Sequence, residues 1–297
     1  MKNKIYSFFE EMLFSPKWYH LFFILLLLPF SLIYFLIVFF KFPRKVKNMQ
    51  IPIISIGNLI IGGSGKTPLS IFLANKFKNY KPAVVLRGYG RESKGLLVVS
   101  RWGNVLVDVK KSGDEAMEIA TSTKALVIVS EDREEGIKKA KEMGACFVIL
   151  DDGFDKPFLK LNIIIDYKPK NPFLLPAGPY RYPRNFLKYG DIVLKEGRDF
   201  KREVVVPDGD ILISGISKPK RLLKWWRGRY KFFPDHYNFK REDFRGVEDK
   251  KIVVTKKDFV KLKDFRLNLE IMELRVWLED GVLEKIEKYL IKFQKKG

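Results

Sequence analysis

Gly62-Gly63-Ser64-Gly65-Lys66-Thr67 decides the fold, and it comes shortly after the apolar run Ile51-Pro52-Ile53-Ile54-Ser55-Ile56. A buried strand that leads into glycines and then Gly-Lys-Thr is typical of a phosphate-binding loop before a helix. The glycines let backbone N–H groups turn inward around phosphate oxygens. Lys66 then reaches the β- and γ-phosphates of a nucleotide, and the Thr67 hydroxyl holds Mg²⁺. The sequence therefore predicts a nucleotide-binding P-loop over residues 62–67, preceded by Ile60 where the strict pattern has glycine.

Beyond residue 50, apolar runs of strand length alternate with helix-like segments. Buried strands are predicted at 51–56, 83–86, 125–129, 146–150 and 161–165, helices at 68–77, 114–120 and 131–143, and a hairpin over 96–99 and 105–107. This alternation predicts an α/β fold, a P-loop NTPase-like parallel sheet with helices on both faces. A second, smaller α/β unit is predicted from its own strands at 211–213 and 252–254 and a basic amphipathic helix at 282–293. The predicted domains are 1–44, 45–203 and 204–297.

Composition narrows the class of protein. Of the 297 residues, 46% are hydrophobic, which is enough for a packed core, and the formal net charge is +21. Such a charge predicts an anionic partner, which is nucleic acid, an anionic membrane or a phosphorylated substrate. The one cysteine, Cys146, excludes an internal disulfide framework and suits a reducing cytosol. Because Cys146 begins an apolar run, we expect it to be a small core residue.

An uncharged apolar stretch lies near the N-terminus. Residues 21–40 are almost wholly Leu, Ile, Phe, Val and Tyr, and they are long enough to form a membrane helix. Trp18 and Tyr19 precede the stretch, and a basic flank of Lys41, Arg44, Lys45 and Lys47 follows it, which places the rest of the chain in the cytoplasm. A cleaved signal peptide is the alternative, but the stretch is too long and lacks a small-residue cleavage site. Pro29 leaves open whether the helix spans the bilayer or dips into one leaflet.

Further segments carry acidic and imidazole groups. Asp151 and Asp152 end an apolar run, and an aspartate at the end of a strand beside a P-loop helps to hold Mg²⁺; a plain turn is the alternative. Asp114 opens a predicted helix, so it is either an acidic cap or a general base for an attacking hydroxyl. His236 lies in a loop-like stretch, where a structural role is the simpler interpretation.

Together these segments resemble the tetraacyldisaccharide 4'-kinases, the lipid A 4'-kinases of Gram-negative bacteria. The resemblance extends from the N-terminal helix to near Leu262, and the order and spacing of its motifs are more specific than any one motif. The motifs are Ser55-Ile56-Gly57-Asn58-Leu59, Gly62-Gly63-Ser64-Gly65-Lys66-Thr67-Pro68, Arg87-Gly88-Tyr89, Gly113-Asp114-Glu115, Ser130-Glu131-Asp132-Arg133, Leu150-Asp151-Asp152-Gly153-Phe154, Leu174-Leu175-Pro176-Ala177-Gly178-Pro179, Pro234-Asp235-His236-Tyr237 and Thr255-Lys256-Lys257-Asp258. A shifted glycine after Asn58-Leu59 is a habit of this family and accounts for Ile60.

The resemblance implies that ATP donates its γ-phosphoryl group to the 4'-hydroxyl of a tetraacylated glucosamine disaccharide 1-phosphate. ATP and Mg²⁺ are the implied cofactors, and two α/β/α domains close over a cleft at the inner membrane. Asp114 corresponds to the catalytic acid/base, and His236 to the residue that orients and polarises it. The residues that correspond to the metal site are Thr67, Asp151 and Asp152, and those expected to support it or bind the substrate are Glu115, Arg87 and Arg181. We expect a monomer that binds this lipid and the anionic membrane, and no nucleic acid.

Three segments depart from the family pattern. Asp155-Lys156 stands where the family has Gln-His, Tyr182 replaces a glutamate after Arg181, and Lys256 replaces another glutamate. Without the glutamate at Tyr182, we expect Arg181 to carry that segment alone. The departures predict either a divergent lipid substrate or reduced activity.

Two other classes of protein remain open on the sequence. A membrane-tethered P-loop ATPase that drives transport or assembly predicts ATP turnover independent of any glycolipid. A basic nucleic-acid-binding module predicts aromatic residues interleaved with basic ones on one face, and Arg221-Leu222-Leu223-Lys224-Trp225-Trp226-Arg227 has some of that character. Tryptophan beside arginine also suits a membrane interface, and the N-terminal helix favours that interpretation.

Overall fold

A computed structural model describes residues 2–216, 219–235 and 237–294, with the backbone alone for 2–6 and 294. Within these residues, a large sheet contains β1 (Ile53–Asn58), β2 (Pro82–Leu86), β3 (Leu97–Arg101), β4 (Asn104–Val105), β5 (Leu126–Val129), β6 (Phe147–Asp151), β7 (Leu161–Ile165) and β8 (Ile192–Leu194). The strand order is β4-β3-β5-β2-β6-β1-β7-β8. All neighbours are parallel except at β3, which runs antiparallel to β4 and β5. The predicted parallel sheet and its inserted hairpin are confirmed.

A smaller sheet follows along the chain. It contains β9 (Phe200–Val205), β10 (Ile211–Ser214), β11 (Arg229–Phe232), β12 (Ile252–Thr255) and β13 (Leu269–Leu278). Its order is β11-β10-β12-β13-β9, and β9 alone pairs antiparallel with its neighbour. We call the body around the large sheet the large lobe and the body around this sheet the small lobe.

Helices cover both faces of the large sheet. The helices of the described residues are α1 (Lys2–Phe14), α2 (Leu21–Lys41), α3 (Lys66–Lys76), α4 (Val109–Ser112), α5 (Asp114–Ser122), α6 (Arg133–Glu142), α7 (Lys256–Leu262) and α8 (Asp280–Gln294). Of these, α3, α5, α6 and α8 pack on the large sheet. Side chains alternate along a strand, so Ile54 packs with Leu73 of α3 on one face and Ile53 packs with Ile137 of α6 on the other. The helices predicted between the strands are therefore confirmed, because these parallel strands bury both faces.

The C-terminal helix returns to the large lobe. The apolar face of α8 buries Val282, Ile286 and Leu290 in the same cluster as Ile54, and the Ile53 N–H donates to Tyr289 Oη at 3.3 Å. The chain therefore crosses between the lobes at β9 and again between β13 and α8. The domain boundary at 203/204 stays a prediction.

The N-terminal segment forms two helices, of which the sequence predicted only the second. The stretch Trp18–Lys41 is long and apolar enough to cross a membrane, and Pro29 lies inside α2. One stripe of α2, namely Ile24, Ser31 and Val38, is buried, while most of its other side chains are exposed. Ser31 anchors the helix to the large lobe, since its Oγ donates to Leu174 O at 2.9 Å and accepts from Ala177 N at 3.1 Å.

The prediction that Cys146 is a core residue was wrong. Cys146 lies just before β6 and is exposed, while its neighbours Ala145 and Phe147 are buried. Its backbone N–H donates to Lys81 O at 3.1 Å. Adjacent residues at the start of a strand face opposite directions, so an apolar run does not place each member inside.

Candidate active site

The P-loop connects the end of β1 to the start of α3. Gly62 and Gly65 have φ values of 83° and 92°, which lie in the left-handed region that favours glycine. Ser64 is buried, and its Oγ accepts a hydrogen bond from Asn58 Nδ2 at 2.7 Å. The loop has the strand-to-helix context that a phosphate-binding loop requires, although Ile60 replaces the first glycine.

Lys66, the first residue of α3, contacts groups from two strands. Its Nζ lies 3.5 Å from Asn58 Oδ1 and 3.7 Å from Asp152 Oδ1. Asn58 thus contacts both the P-loop serine and the P-loop lysine. No role was predicted for Asn58 from the sequence, although a polar residue at the end of the apolar P-loop strand was the available signal.

The two acids at the end of β6 lie beside the P-loop because β6 pairs directly with β1, in a register that sets Asp151 opposite Ile56. Thr67 Oγ1 donates to Asp151 Oδ2 at 3.0 Å. Asp151 Oδ1 is buried and has no hydrogen-bond partner among the described residues. Burial, with the negative charge of Glu115, raises the pKa of Asp151 to about 7. Asp151 is thus a buried carboxyl with one oxygen still available to bind a ligand.

Asp152 is held by positive charge. Arg181 forms a bidentate pair with it, at 2.8 and 3.1 Å, and also donates to Asn58 Oδ1 at 2.8 Å. Although burial alone would raise the pKa of Asp152, the charges of Lys66 and Arg181 hold it well below its ordinary value. Planar two-point pairing fixes the orientation of both groups. Arg181 therefore supplies a charged contact from its segment to the acidic pair.

Tyr182, which replaces the family glutamate, packs within an apolar cluster. Its ring packs against Phe154 and Phe42, with centroid distances of 5.0 and 6.1 Å, and lies parallel to Phe186. An aromatic side chain gains more from this burial than it would beside the carboxylates. The substitution thus exchanges a polar group for packing between the end of α2 and the segment carrying Arg181.

Asp114 begins α5, and a lysine from the small lobe reaches it. Lys261 Nζ of α7 lies 3.0 Å from Asp114 Oδ2, and only 6% of the lysine side chain is exposed. The same Nζ donates to Tyr237 O at 3.2 Å and lies 3.9 Å from Asp258 Oδ1. Sequence reasoning missed Lys261, although it lies one helical turn beyond the quoted Asp258.

The remaining predicted site residues lie in different settings. His236 falls outside the described residues, while its neighbour Asp235 accepts from Lys257 Nζ at 3.1 Å. Glu115 is half-buried and close enough to influence the pKa of Asp151. Arg87 follows β2 at the carboxyl edge of the sheet with an exposed side chain. The structure therefore brings the P-loop, Asp151, Asp152 and Arg181 into direct contact and leaves Arg87 at the rim.

Lys160 stabilises the turn that follows Asp151 and Asp152. Its Nζ donates to Gly153 O at 2.5 Å and to Phe154 O and Lys156 O at 2.8 Å. Burial lowers the pKa of Lys160 to about 7. Asp155 and Lys156, which depart from the family pattern, form an ion pair with each other at 3.3 Å in the same turn.

We expect Lys160→Met to lower the free energy of unfolding by about 1–3 kcal/mol, because buried carbonyls of the turn lose their donor. Lys156→Met is the matched control and should change it little. The pKa of Lys160 in the folded protein lies below its value of about 10.4 in the unfolded chain. Its contribution to the free energy of unfolding is therefore greatest above about pH 10.4 and is lost as the pH falls through about 7. Urea denaturation at pH 6 and 8.5 measures both effects; an equal loss at both values would contradict the assignment.

Comparison with known proteins identifies the family. A family model for tetraacyldisaccharide-1-P 4'-kinase matches residues 23–209 and 206–291. The tetraacyldisaccharide 4'-kinase of Aliarcobacter butzleri is 47% identical over 316 residues, covering 99% of this chain and 100% of that protein. The chain belongs to the tetraacyldisaccharide 4'-kinase family. The family resemblance predicted from the motifs is confirmed.

A less similar relative has the same name, and a solved structure has a similar fold. The tetraacyldisaccharide 4'-kinase of Helicobacter acinonychis is 40% identical over 300 residues, 96% of each chain. Among solved structures, LpxK from Aquifex aeolicus in complex with ATP has a TM-score of 0.77 and 31% identity, and the match covers 91% of this chain and 99% of that one. The predicted fold and the kinase class are confirmed by these matches.

Proposed function

We propose that this protein transfers the γ-phosphoryl group of ATP to the 4'-hydroxyl of a tetraacyldisaccharide 1-phosphate, a step of lipid A biosynthesis. Family membership supports the kinase class and the substrate type. The solved LpxK bound to ATP supports the phosphoryl donor. With Asp155-Lys156 and Tyr182 in place, Thr67 still bonds to Asp151, and Lys66 and Arg181 still lie beside Asp152, which supports an active enzyme.

The segment from Leu174 to Arg181 connects helix α2 with the P-loop region, and this connection supports the proposal. At one end, Leu174 and Ala177 bond to Ser31 of the exposed apolar helix α2. At the other end, Arg181 forms an ion pair with Asp152 beside the P-loop. A cavity of about 380 Å³ opens between these ends, lined mainly by apolar residues of α2 and of this segment and by Arg184 at its rim. A phosphate-transfer site joined so closely to an apolar helix fits an acceptor that carries acyl chains.

The chemistry follows from the placed groups. Asp114 accepts the proton of the 4'-hydroxyl, whose oxygen forms a bond to the γ-phosphorus. The bond from that phosphorus to the β–γ bridging oxygen breaks, and ADP leaves with the electron pair. Lys66 offsets negative charge on the phosphates. Lys261 positions the Asp114 carboxylate from the small lobe at 3.0 Å.

The residues present also fit a magnesium ion. The open Oδ1 of Asp151, the Thr67 hydroxyl and the Asp152 carboxylate are oxygen donors of the kind that Mg²⁺ prefers. A bound ion would neutralise negative charge that develops on the phosphate groups during transfer. We propose Thr67, Asp151 and Asp152 as its protein ligands.

The test is incubation of the purified protein with γ-labelled ATP, Mg²⁺ and the disaccharide 1-phosphate lipid. The expected result is label in the lipid at the 4'-position and ATP consumption that depends on the lipid. ATP turnover at the same rate with and without lipid, and no labelled lipid, would instead support the membrane-tethered ATPase.

We propose that α2 embeds in the cytoplasmic leaflet of the inner membrane rather than crossing it. The buried stripe runs from Ile24 to Val38, about 21 Å at 1.5 Å per residue. The large lobe thus lies alongside most of the helix, and a spanning helix would draw the irregular backbone around Leu174 and Ala177 into hydrocarbon. The remaining face is exposed, with Phe22 at 70% and Phe40 at 72%. The monomeric state stays a prediction.

Replacing Leu25 and Leu36 by glutamine should weaken membrane attachment, because both are exposed on α2, at 56% and 46%. Activity on bilayer-embedded lipid should fall roughly tenfold more than activity on detergent-dispersed lipid, since the loss acts on partitioning. Leu106→Gln with Leu159→Gln, exposed residues of the large lobe at 55% and 46%, is the matched control.

Removing residues 1–41 should weaken membrane attachment, and activity on bilayer-embedded lipid, more strongly than the two glutamine substitutions do. Flotation on anionic vesicles measures attachment. Equal activity on both lipid forms, with undiminished attachment at high salt, would show that α2 is not the principal anchor.

A further inference from the structure

Two arginines of the small lobe reach the P-loop of the large lobe. Arg221, in the short helix Pro219–Lys224, donates from Nη1 to Gly63 O at 3.4 Å. Arg202, on β9, places Nη1 at 3.2 Å from the point that a Cβ on Gly65 would occupy. A side chain on Gly65 would therefore crowd the Arg202 guanidinium.

The two guanidinium groups form a like-charged pair at this place. Burial, with the charge of Arg202, lowers the pKa of Arg221, so each arginine raises the energy of the other. Glu196 compensates the charge of Arg202 with a two-point pair, since its carboxylate accepts from Arg202 Nε at 2.7 Å and also from Nη2. Within the described part of the chain, the guanidinium of Arg221 makes a single long hydrogen bond, to Gly63 O. A guanidinium group has five N–H donors, so Arg221 can also donate hydrogen bonds to an anionic ligand.

We propose that Arg202 and Arg221 contact the phosphate oxygens of the nucleotide held by the P-loop, so that the small lobe supplies cis-acting arginines to the phosphoryl transfer. The inference rests on the proposed kinase function. Guanidinium is the side-chain group best shaped to bind phosphate, and P-loop glycines present their N–H groups to the same phosphates. An arginine that reaches across a P-loop stabilises charge in the transition state of several nucleotide hydrolases.

The arrangement also couples the two lobes. Lys66 and Thr67 belong to the large lobe, whereas both arginines belong to the small lobe. Arg202 in addition lines a cavity of about 410 Å³ between β7 and β9. Four basic residues line this cavity, namely Lys168, Arg184, Lys195 and Arg202, and two acidic ones, Asp166 and Glu196, which pair with Arg184 and Arg202. A polyphosphate on the P-loop would therefore meet positive charge from both lobes at once and hold them together during transfer.

The test compares Arg221→Ala, Arg221→Lys and Arg202→Ala with Arg227→Ala, an exposed arginine of the same lobe that serves as the control. Each variant is assayed for kcat, for KM of ATP and of lipid, and for equilibrium binding of ATP without lipid. We expect Arg221→Ala to lower kcat at least tenfold and to weaken ATP binding severalfold, with the KM for lipid unchanged. Arg221→Lys should recover part of the loss, and Arg202→Ala should show a smaller loss of the same kind.

Two outcomes would overturn the inference. One is an Arg221→Ala protein, folded by circular dichroism, whose kcat and ATP affinity stay within twofold of the wild type. The other is an equal rise in the KM values of ATP and lipid, which indicates a general effect on the lobe contact. If the wild type labels no lipid, the proposed function fails, whereas weaker ATP binding by Arg221→Ala alone would still support the arginine contacts.

Discussion

Lys66→Ala should abolish nearly all lipid phosphorylation while leaving the fold intact. Lys66 is the P-loop lysine, and its Nζ lies 3.5 Å from Asn58 and 3.7 Å from Asp152, where we propose that the β- and γ-phosphates of ATP bind. Loss of one preorganised charge at a transition state costs about a hundredfold to a thousandfold in kcat. The measurement is the rate of label transfer from γ-labelled ATP to the lipid.

The control for this variant is Lys76→Ala, because Lys76 ends the same helix with an exposed side chain. Arg181 still pairs with Asp152 in the Lys66→Ala protein, so the melting temperature should change little. Near-normal lipid phosphorylation by the folded variant would contradict the assignment of the P-loop.

Asp114→Asn should lower kcat far more than it raises the KM for ATP. A general base acts on the chemical step and contributes about a hundredfold to ten-thousandfold. An amide keeps the size of the carboxylate but accepts no proton, and it forms no ion pair with Lys261. Single-turnover kinetics at saturating ATP separate the chemical step from binding.

Lys261→Met tests whether the small lobe positions this base. The expected loss is smaller than that of Asp114→Asn, and the double variant should be clearly less than additive, because the two groups act as a pair. Lys263→Met, an exposed lysine just beyond α7, is the control. His236→Ala should likewise be less than additive with Asp114→Asn. Full additivity would mean that the second residue acts independently of Asp114.

Local patterns predicted those parts of the fold that depend on neighbouring residues. The P-loop is recognisable because glycine at Gly62 and Gly65 supplies positive φ values and because Lys-Thr must follow at a set spacing. Strands β1, β2, β5, β6 and β7 are recognisable because parallel strands covered on both faces are continuous apolar runs. The carboxyl ends of parallel strands share one edge of the sheet, so Asp151 could be placed near the P-loop without a structure.

Contacts between segments far apart in the chain were decided by the tertiary structure. Arg181 meets Asp152 across 29 residues, and Arg221 meets Gly63 across 158; no periodicity or spacing encodes such pairs. The exposure of Cys146 and the inward turn of Tyr182 likewise depend on what packs nearby. The sequence by itself determined the P-loop, the parallel sheet and the apolar helix, because each follows from local backbone geometry and side-chain period. Only the tertiary structure decided which charges meet, since that depends on how the two lobes and α2 pack together.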